Sequence, residues 1–314
     1  MVQQGTIITL ARGQYRLREA LGGSAYGLVW RAESAGGSVA IKLVNTDQMA
    51  LAPSLLQRHW IDSAHAEEAF LSGLAPWDAR HIVRLLDSGS HQGLPAMALE
   101  LLDRDLAAHV KTTGTPGPLQ ALDWTAQVNQ ALAKVHAAGF RYLDLKPANL
   151  LLDRRTGSLK LADFGTSRPL LDAPTHSYAG TARWQAPEQF FPQARGLYVT
   201  DPRSDYFALG ALLYWLACGR ALRYGAACAH AYAAHGREGA AILRREQGGV
   251  PPTLQPDEAA AFASAFGTAG QEASALLRAL LAPEPAARPA HALAISRLLD
   301  AVRAAMAAPL RRAA

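Results

Sequence analysis

The period of the apolar pattern changes once along this chain, and that change narrows the folds open to it. Up to about residue 103 the stretches YRLREALGG, YGLVWRAES, SVAIKLV, HIVRLLDSG and LPAMALELL alternate or run apolar between Gly-containing turns. Such runs predict strands. One helical stretch interrupts them near 64–74, where Phe70, Leu71 and Leu74 share a face. Beyond 103, PLQALDWTAQVNQALAKVHAAG carries Leu122, Val128, Leu132 and Val135 at helical spacing and stops at Gly139. NLLLD and SLKLADFG read as two short strands around the turn RRTG, and most of the remainder has a helical pattern. Strands gathered first and helices gathered later predict an α+β fold in two lobes. A small β-rich lobe with one main helix takes residues 1–102, and a larger, mostly helical lobe takes 103–314. The chain is long for a single core, which also favours two packed units. A cleft between two such lobes is a common ligand site.

Composition excludes several classes. Half the residues are hydrophobic and 18% are charged, as in globular domains. The net charge of +5 comes from basic residues scattered singly or in pairs, with no run of five like charges, so nucleic acid is not an expected partner. Cys218 and Cys228 fall in no metal-binding spacing, which fits a reducing compartment; Cys218, in an apolar run, reads as a core residue. The opening MVQQGTIITL lacks the regions of a secretory signal. The most apolar stretch, YFALGALLYWLACG, has 14 residues, which is short for a membrane span. No span is expected, and the cytoplasm is the expected location.

Chemistry concentrates in a few places. In LGGSAYGLVW, Gly22, Ser24 and Gly27 occupy a strand–turn–strand loop, where small residues let backbone N–H groups approach phosphate oxygens. A second strand follows instead of a helix, which argues against a dinucleotide fold. Lys42 ends the apolar strand VAIK, where an ammonium calls for an anionic partner. Glu67 and Glu68 are both available, and Glu67 is preferred because Phe70, Leu71 and Leu74 then lie on the core side. In YLDLKPANL, Asp144, Lys146 and Asn149 crowd around one small volume, and ADFG brings a further carboxylate at Asp163.

Taken together and in order, LGGSAYGLV, VAIK, DLKPANLLL, ADFG, GTARWQAPE, SDYFALG and PAARP resemble the motif set of the eukaryotic-type (Hanks-type) serine/threonine protein kinases, in a form that is bacterial in composition. The resemblance covers about residues 14–305 and implies a bilobal protein-kinase-like fold. It also implies roles. Gly22, Ser24 and Gly27 would cover the phosphates of ATP. Lys42 would hold the α- and β-phosphates and pair with Glu67. Val29, Ala40 and Leu151 would sandwich the adenine, beside Leu99 as gatekeeper and the backbone of Glu100 and Leu102. Asp144 would take or orient the acceptor's hydroxyl proton, Lys146 would neutralise the transferring phosphate, and Asn149 and Asp163 would ligate Mg²⁺. Lys146 and Thr181 favour a Ser or Thr acceptor on a protein, with autophosphorylation open to the chain. Glu188 and Arg288 would form a buried structural pair, and Asp205 would tie the catalytic loop to its helix or simply cap that helix.

The pattern also departs from the family. Tyr142-Leu143-Asp144 stands where His-Arg-Asp is usual. In many relatives that Arg receives a phosphate on the activation loop, and Leu143 cannot, so activity is expected not to need that switch. Tyr142 would fill the space of the missing imidazole. The segment LAPSLLQRHWIDS lengthens the path from Lys42 to Glu67 and reads as an insertion that steers the helix or a partner. Two other readings share these residues: a pseudokinase scaffold that binds nucleotide, and a small-molecule kinase. The latter usually lacks the APE-like segment and the Pro of DLKP.

Overall fold

The computed structural model describes residues 2–23, 27–75, 78–170, 175–176, 178–193 and 197–308. The chain divides into two compact units, one of residues 1–103 with 162–167, the other of 104–161 with 168–314. The short return of 162–167 to the first unit comes from contacts made there by Asp163 and Phe164.

The first unit is built on β1 (Ile7–Thr9), β2 (Gln14–Gly23), β3 (Gly27–Ser34), β4 (Gly37–Val44), α1 (Thr46–Ala50), α2 (Ser54–Ser72), β5 (Leu85–His91) and β6 (Leu94–Glu100). Its six strands form one antiparallel sheet in the order β1-β2-β3-β4-β6-β5. Side chains alternate across a sheet, so register decides which residues share a face. The pairs Val29↔Lys42, Ala40↔Leu99 and Lys42↔Met97 set Val29, Ala40, Lys42, Met97 and Leu99 on one face. The opposite face packs Ile41, Leu43, Ala96 and Ala98 against Ile8, Leu10 and Leu17 from β1 and β2 and their flanks. Each Ile or Leu side chain there contributes about 1.5–3 kcal/mol when fully buried.

Helix α2 begins at Ser54, well before the expected 64. Trp60, buried in its early turns, lies seven residues before Glu67 and extends the same inner face, so the helix starts about ten residues earlier than expected. These turns contain no Gly or Pro, so nothing stops the helix between Pro53 at its N-cap and Gly73, whose N–H reaches the Ala69 and Phe70 carbonyls. The lengthened segment is therefore the short link after α1 and the first turns of α2.

The second unit contains β7 (Arg104–Asp105), α3 (Leu106–Thr113), α4 (Pro118–Ala137), β8 (Phe140–Arg141), β9 (Leu150–Asp153), β10 (Ser158–Leu161), β11 (Arg168–Pro169), β12 (Thr175–His176), α5 (Pro187–Phe190), β13 (Tyr198–Val199) and α6 (Pro202–Cys218). It continues through α7 (Arg223–His235), α8 (Gly239–Glu246), α9 (Pro256–Ala265), α10 (Gly270–Leu280) and α11 (Ala292–Ala307). Helix α6 is buried on nearly every side from Ser204 to Tyr214, with α4, α9 and α10 packed on it. That explains its continuous apolar sequence. Among the described residues no helix is long and apolar enough to cross a membrane. Cys218 lies only half-buried at the end of α6, whereas Cys228 in α7 is the fully buried thiol, so the core assignment belongs to Cys228. Burial pushes the Cys228 thiol up to about 12, out of reach of ordinary thiolate chemistry.

Candidate active site

Two groups of polar side chains stand out, one in each unit. In the first, Lys42 projects from β4 beneath α2. Its Nζ donates to Glu67 Oε1 and Oε2 at 2.8 and 2.7 Å and to Asp163 Oδ1 at 2.7 Å. Glu67 is the carboxylate so placed, on the inner face of α2 with Phe70 and Leu71, while Glu68 meets His65. Burial works to lower the pKa of Lys42, but the charges of Asp163 and Glu67 outweigh it and hold the amine above its ordinary value. Burial pushes the Glu67 carboxyl up, with Lys42 pulling against it. Glu67 also accepts the Phe164 N–H at 3.2 Å, and the Phe164 ring packs 4.7 Å from that of Phe70. Asp163 adopts a positive φ of 59°, an uncommon conformation for a non-glycine residue, which aims its carboxylate back at Lys42. Gly27 lies beside the lysine stem, and a Cβ there would touch Lys42 Cε at 3.4 Å.

In the second unit, a single turn at Pro147–Asn149 folds the chain after Asp144 back on itself. Asp144 is 7% exposed and is held from several sides. Thr181 Oγ1 donates to its Oδ1 at 2.7 Å, and Lys146 Nζ to its Oδ2 at 2.7 Å. Lys146 Nζ also donates to Thr181 Oγ1 at 2.9 Å. Asn149 Nδ2 donates to the Asp144 backbone oxygen at 2.9 Å and to Oδ2 at 3.1 Å, which fixes the amide's orientation. Just before Asp144, Leu143 has φ 67°, and the carboxylate of Asp205 accepts the N–H groups of Tyr142 and Leu143 at 2.9 and 2.7 Å. His136 Nε2 meets the same carboxylate at 2.8 Å. The cap of α6 is Asp201, whose side chain accepts the Arg203 N–H, so Asp205 serves the loop and not the helix end.

The Leu143 carbonyl is gripped as well. Gln189 Nε2 donates to it at 3.0 Å, and Gly180 lies against it. A Cβ at Gly180 would stand 2.5 Å from that oxygen, and the residue's φ of +99° already suits only glycine. Gly180→Ala should therefore displace the turn that carries Asp144. Small misplacements of a reacting group cost on the order of a hundredfold in rate. We expect a loss of that size in kcat with ATP KM little changed, checked by steady-state kinetics.

The other sequence-derived positions fall as follows. Gly22 lies in β2 and Gly27 in β3, while Ser24 and Ser177 lie outside the described residues. Val29, Ala40 and Leu99 share the sheet face of Lys42, and Glu100 ends β6, its side chain accepting the Arg84 N–H. Leu102 follows β6, half-buried. Leu151 lies in β9 between the buried Leu150 and Leu152 and points to the other side of the strand. Thr175 pairs with Val199 across β12 and β13. Glu188 and Arg288 form a two-pronged pair, Nη1 to Oε1 at 2.6 Å and Nη2 to Oε2 at 2.9 Å. Sequence reasoning did not single out His136, Arg141, Gln189 or Asp201. Of these only Asp201, an Asp directly before Pro202, carries a local signal, that of a helix start.

Residues 15–299 match the model of the protein kinase domain. The chain is 36% identical over 220 residues to serine/threonine-protein kinase PkaA of Streptomyces coelicolor, covering 66% of this chain and 39% of that one. It is 33% identical over 228 residues to serine/threonine-protein kinase Pkn1 of Myxococcus xanthus (69% and 30%). Against serine/threonine-protein kinase PknB of Mycobacterium leprae it is 33% identical over 193 residues (58% and 28%). The chain thus spans well under half the length of each of these relatives. With the family model matched along nearly its whole length, this chain belongs to the protein kinase domain family.

Proposed function

We propose that this chain is a serine/threonine protein kinase that moves the γ-phosphate of ATP to a protein hydroxyl. The observation that carries the reading is the Asp144 carboxylate held between Lys146 and Thr181. In the transfer, a bond forms from the acceptor's hydroxyl oxygen to the γ-phosphorus, the bond from that phosphorus to the β,γ-bridging oxygen breaks, and ADP leaves. The hydroxyl proton goes to Asp144. Phosphoryl transfer asks little covalent help of a protein and much positioning and charge neutralisation. Lys42, fixed by Glu67, would hold the α- and β-phosphates. Lys146 would face the transferring group while steadying Asp144. Gly22, Ser24 and Gly27 would cover the phosphates, with Val29, Ala40 and Leu151 about the adenine and the backbone of Glu100 and Leu102 at its edge.

Mg²⁺ fits the donors present. Asn149 commits its Nδ2 to Asp144, which leaves the amide oxygen for a hard cation, and the Asp163 side chain is 46% exposed beyond its contact with Lys42. When bound, the ion would supply charge neutralisation to the phosphates. Leu143 offers no group to receive a loop phosphate, so activity should not require one. Two tests apply. Phosphoamino-acid analysis of a generic basic protein after incubation with Mg-ATP should show phosphoserine and phosphothreonine without phosphotyrosine. Phosphatase treatment of the kinase, or Ala at Thr175 or Ser177, should leave the initial rate within about twofold; a loss at either position that a phosphomimetic restores would refute independence from the loop.

A further inference from the structure

We propose that Arg141 is the positioning residue that takes the place of a loop phosphate, clasping both ends of the segment that runs from the ADFG stretch to α6. This rests on the kinase reading above. Arg141 is 2% exposed and sits in β8, directly before the Tyr142-Leu143-Asp144 run. Its Nη2 donates to the Pro169 carbonyl at 3.0 Å, at the start of the segment. Its Nη1 donates to the Thr200 carbonyl at 2.6 Å and to Thr200 Oγ1 at 3.2 Å, at the end of it. One planar, permanently charged fork thus joins backbone atoms from two distant parts of the chain, in a strand position where an apolar side chain would otherwise be expected.

The backbone repeats the pattern. Arg141 pairs with Arg168 between β8 and β11, the Leu170 N–H reaches the Gly139 carbonyl at 2.7 Å, and β12 pairs with β13 immediately before Thr200. Inside the segment, the Tyr178 ring stacks on Tyr232 of α7 at 4.7 Å and meets Tyr198 edge-on at 5.6 Å. Two residues later come Gly180 and Thr181, which touch the Leu143 carbonyl and Asp144. Anchoring the segment at 169 and 200 therefore fixes the hydroxyl that orients the reactive carboxylate. The family's usual arrangement puts the ordering charge at 143 and lets a phosphate meet it; here the charge lies two residues earlier, points inward, and meets carbonyls that are always present. Pro169 and Thr200 are thus tied to β8 without a phosphate.

The test uses the full chain as Arg141→Met and Arg141→Lys, with hydrogen exchange followed by mass spectrometry alongside kinetics. For Arg141→Met we expect exchange in peptides from 178–193 to rise at least about tenfold, with α6 and α10 unchanged. We expect kcat to fall at least about tenfold and ATP KM to stay within about twofold. Arg141→Lys, with a single ammonium for two carbonyls, should fall between Met and wild type. Wild-type exchange in 178–193 for Arg141→Met, a rise spread evenly over the helical unit, or failure of both variants to fold would overturn the proposal. The exchange pattern needs no phosphoryl transfer, so a wild-type chain without kinase activity would refute the kinase reading while exchange still decided the clasp.

Discussion

Asp144→Asn should lower kcat for phosphoryl transfer by about two to four orders of magnitude, the usual contribution of a positioned acid–base group. The substitution keeps the volume and the oxygen that Thr181 or Lys146 can reach, so the turn through Asn149 stays folded. It removes the negative charge that Lys146 answers and the base that receives the acceptor's proton. Lys42, Glu67 and the sheet face with Val29 and Ala40 are untouched, so nucleotide affinity should change less than about threefold. Steady-state kinetics on a protein acceptor, with nucleotide binding followed by fluorescence, separates the two quantities. Equal kcat in the two proteins would remove Asp144 from the mechanism. A parallel loss of nucleotide affinity would mean that the substitution disturbs folding, with chemistry left undecided by it.

Arg288→Ala should be the most damaging change to stability outside the reacting groups. The guanidinium is fully buried, with both prongs on Glu188 and further donations to the carbonyls of Ala282 at 2.7 Å, Pro283 at 2.9 Å and Arg203 at 3.1 Å. It also lies over the Phe207 ring at 5.0 Å. Removing it strands the Glu188 carboxylate and three carbonyls away from water. Breaking one side of a buried pair costs about 3–5 kcal/mol. In a unit of this size that lowers the thermal midpoint by on the order of 10 °C. Ser204 Oγ, which donates to Glu188 at 2.7 Å, can answer only part of the lost charge. Glu188→Gln should cost less than Arg288→Ala, and the double variant less than the sum of the two, because each single change leaves the other partner unmatched. Denaturant unfolding followed by circular dichroism measures all three; additive losses would show that the pair is not coupled.

Much of this molecule was legible in its sequence, for identifiable reasons. The strands of the first unit alternate or run apolar, so their existence is legible, whereas the register shifts in β2 and β5 leave no mark on that pattern. The choice of Glu67 over Glu68 rested on the apolar residues three and four positions later, and in the structure Glu67 faces Lys42. The crowding of Asp144, Lys146 and Asn149 is local, within one turn, so spacing alone announced it. What sequence could not show is what depends on distant backbone. Arg141 reads as one of many arginines because its partners are carbonyls at 169 and 200, and no side-chain pattern marks a carbonyl. The early start of α2 goes beyond the expected 64, although the buried Trp60 carries its inner face back by seven residues from Glu67. Asp205 was placed correctly on the loop, but its alternative role as a cap was already filled by Asp201, which lies nearer the Pro that opens the helix.

The central claim is tested most directly by mapping phosphate on an acceptor protein by mass spectrometry after incubation with this chain and ATP, with Mg²⁺ present and with Mg²⁺ chelated. The account predicts phosphate on serine and threonine side chains of the acceptor when Mg²⁺ is present, and none when it is removed. Nucleotide bound without any phosphate transferred, or phosphate found on a small molecule and on no protein, would contradict it.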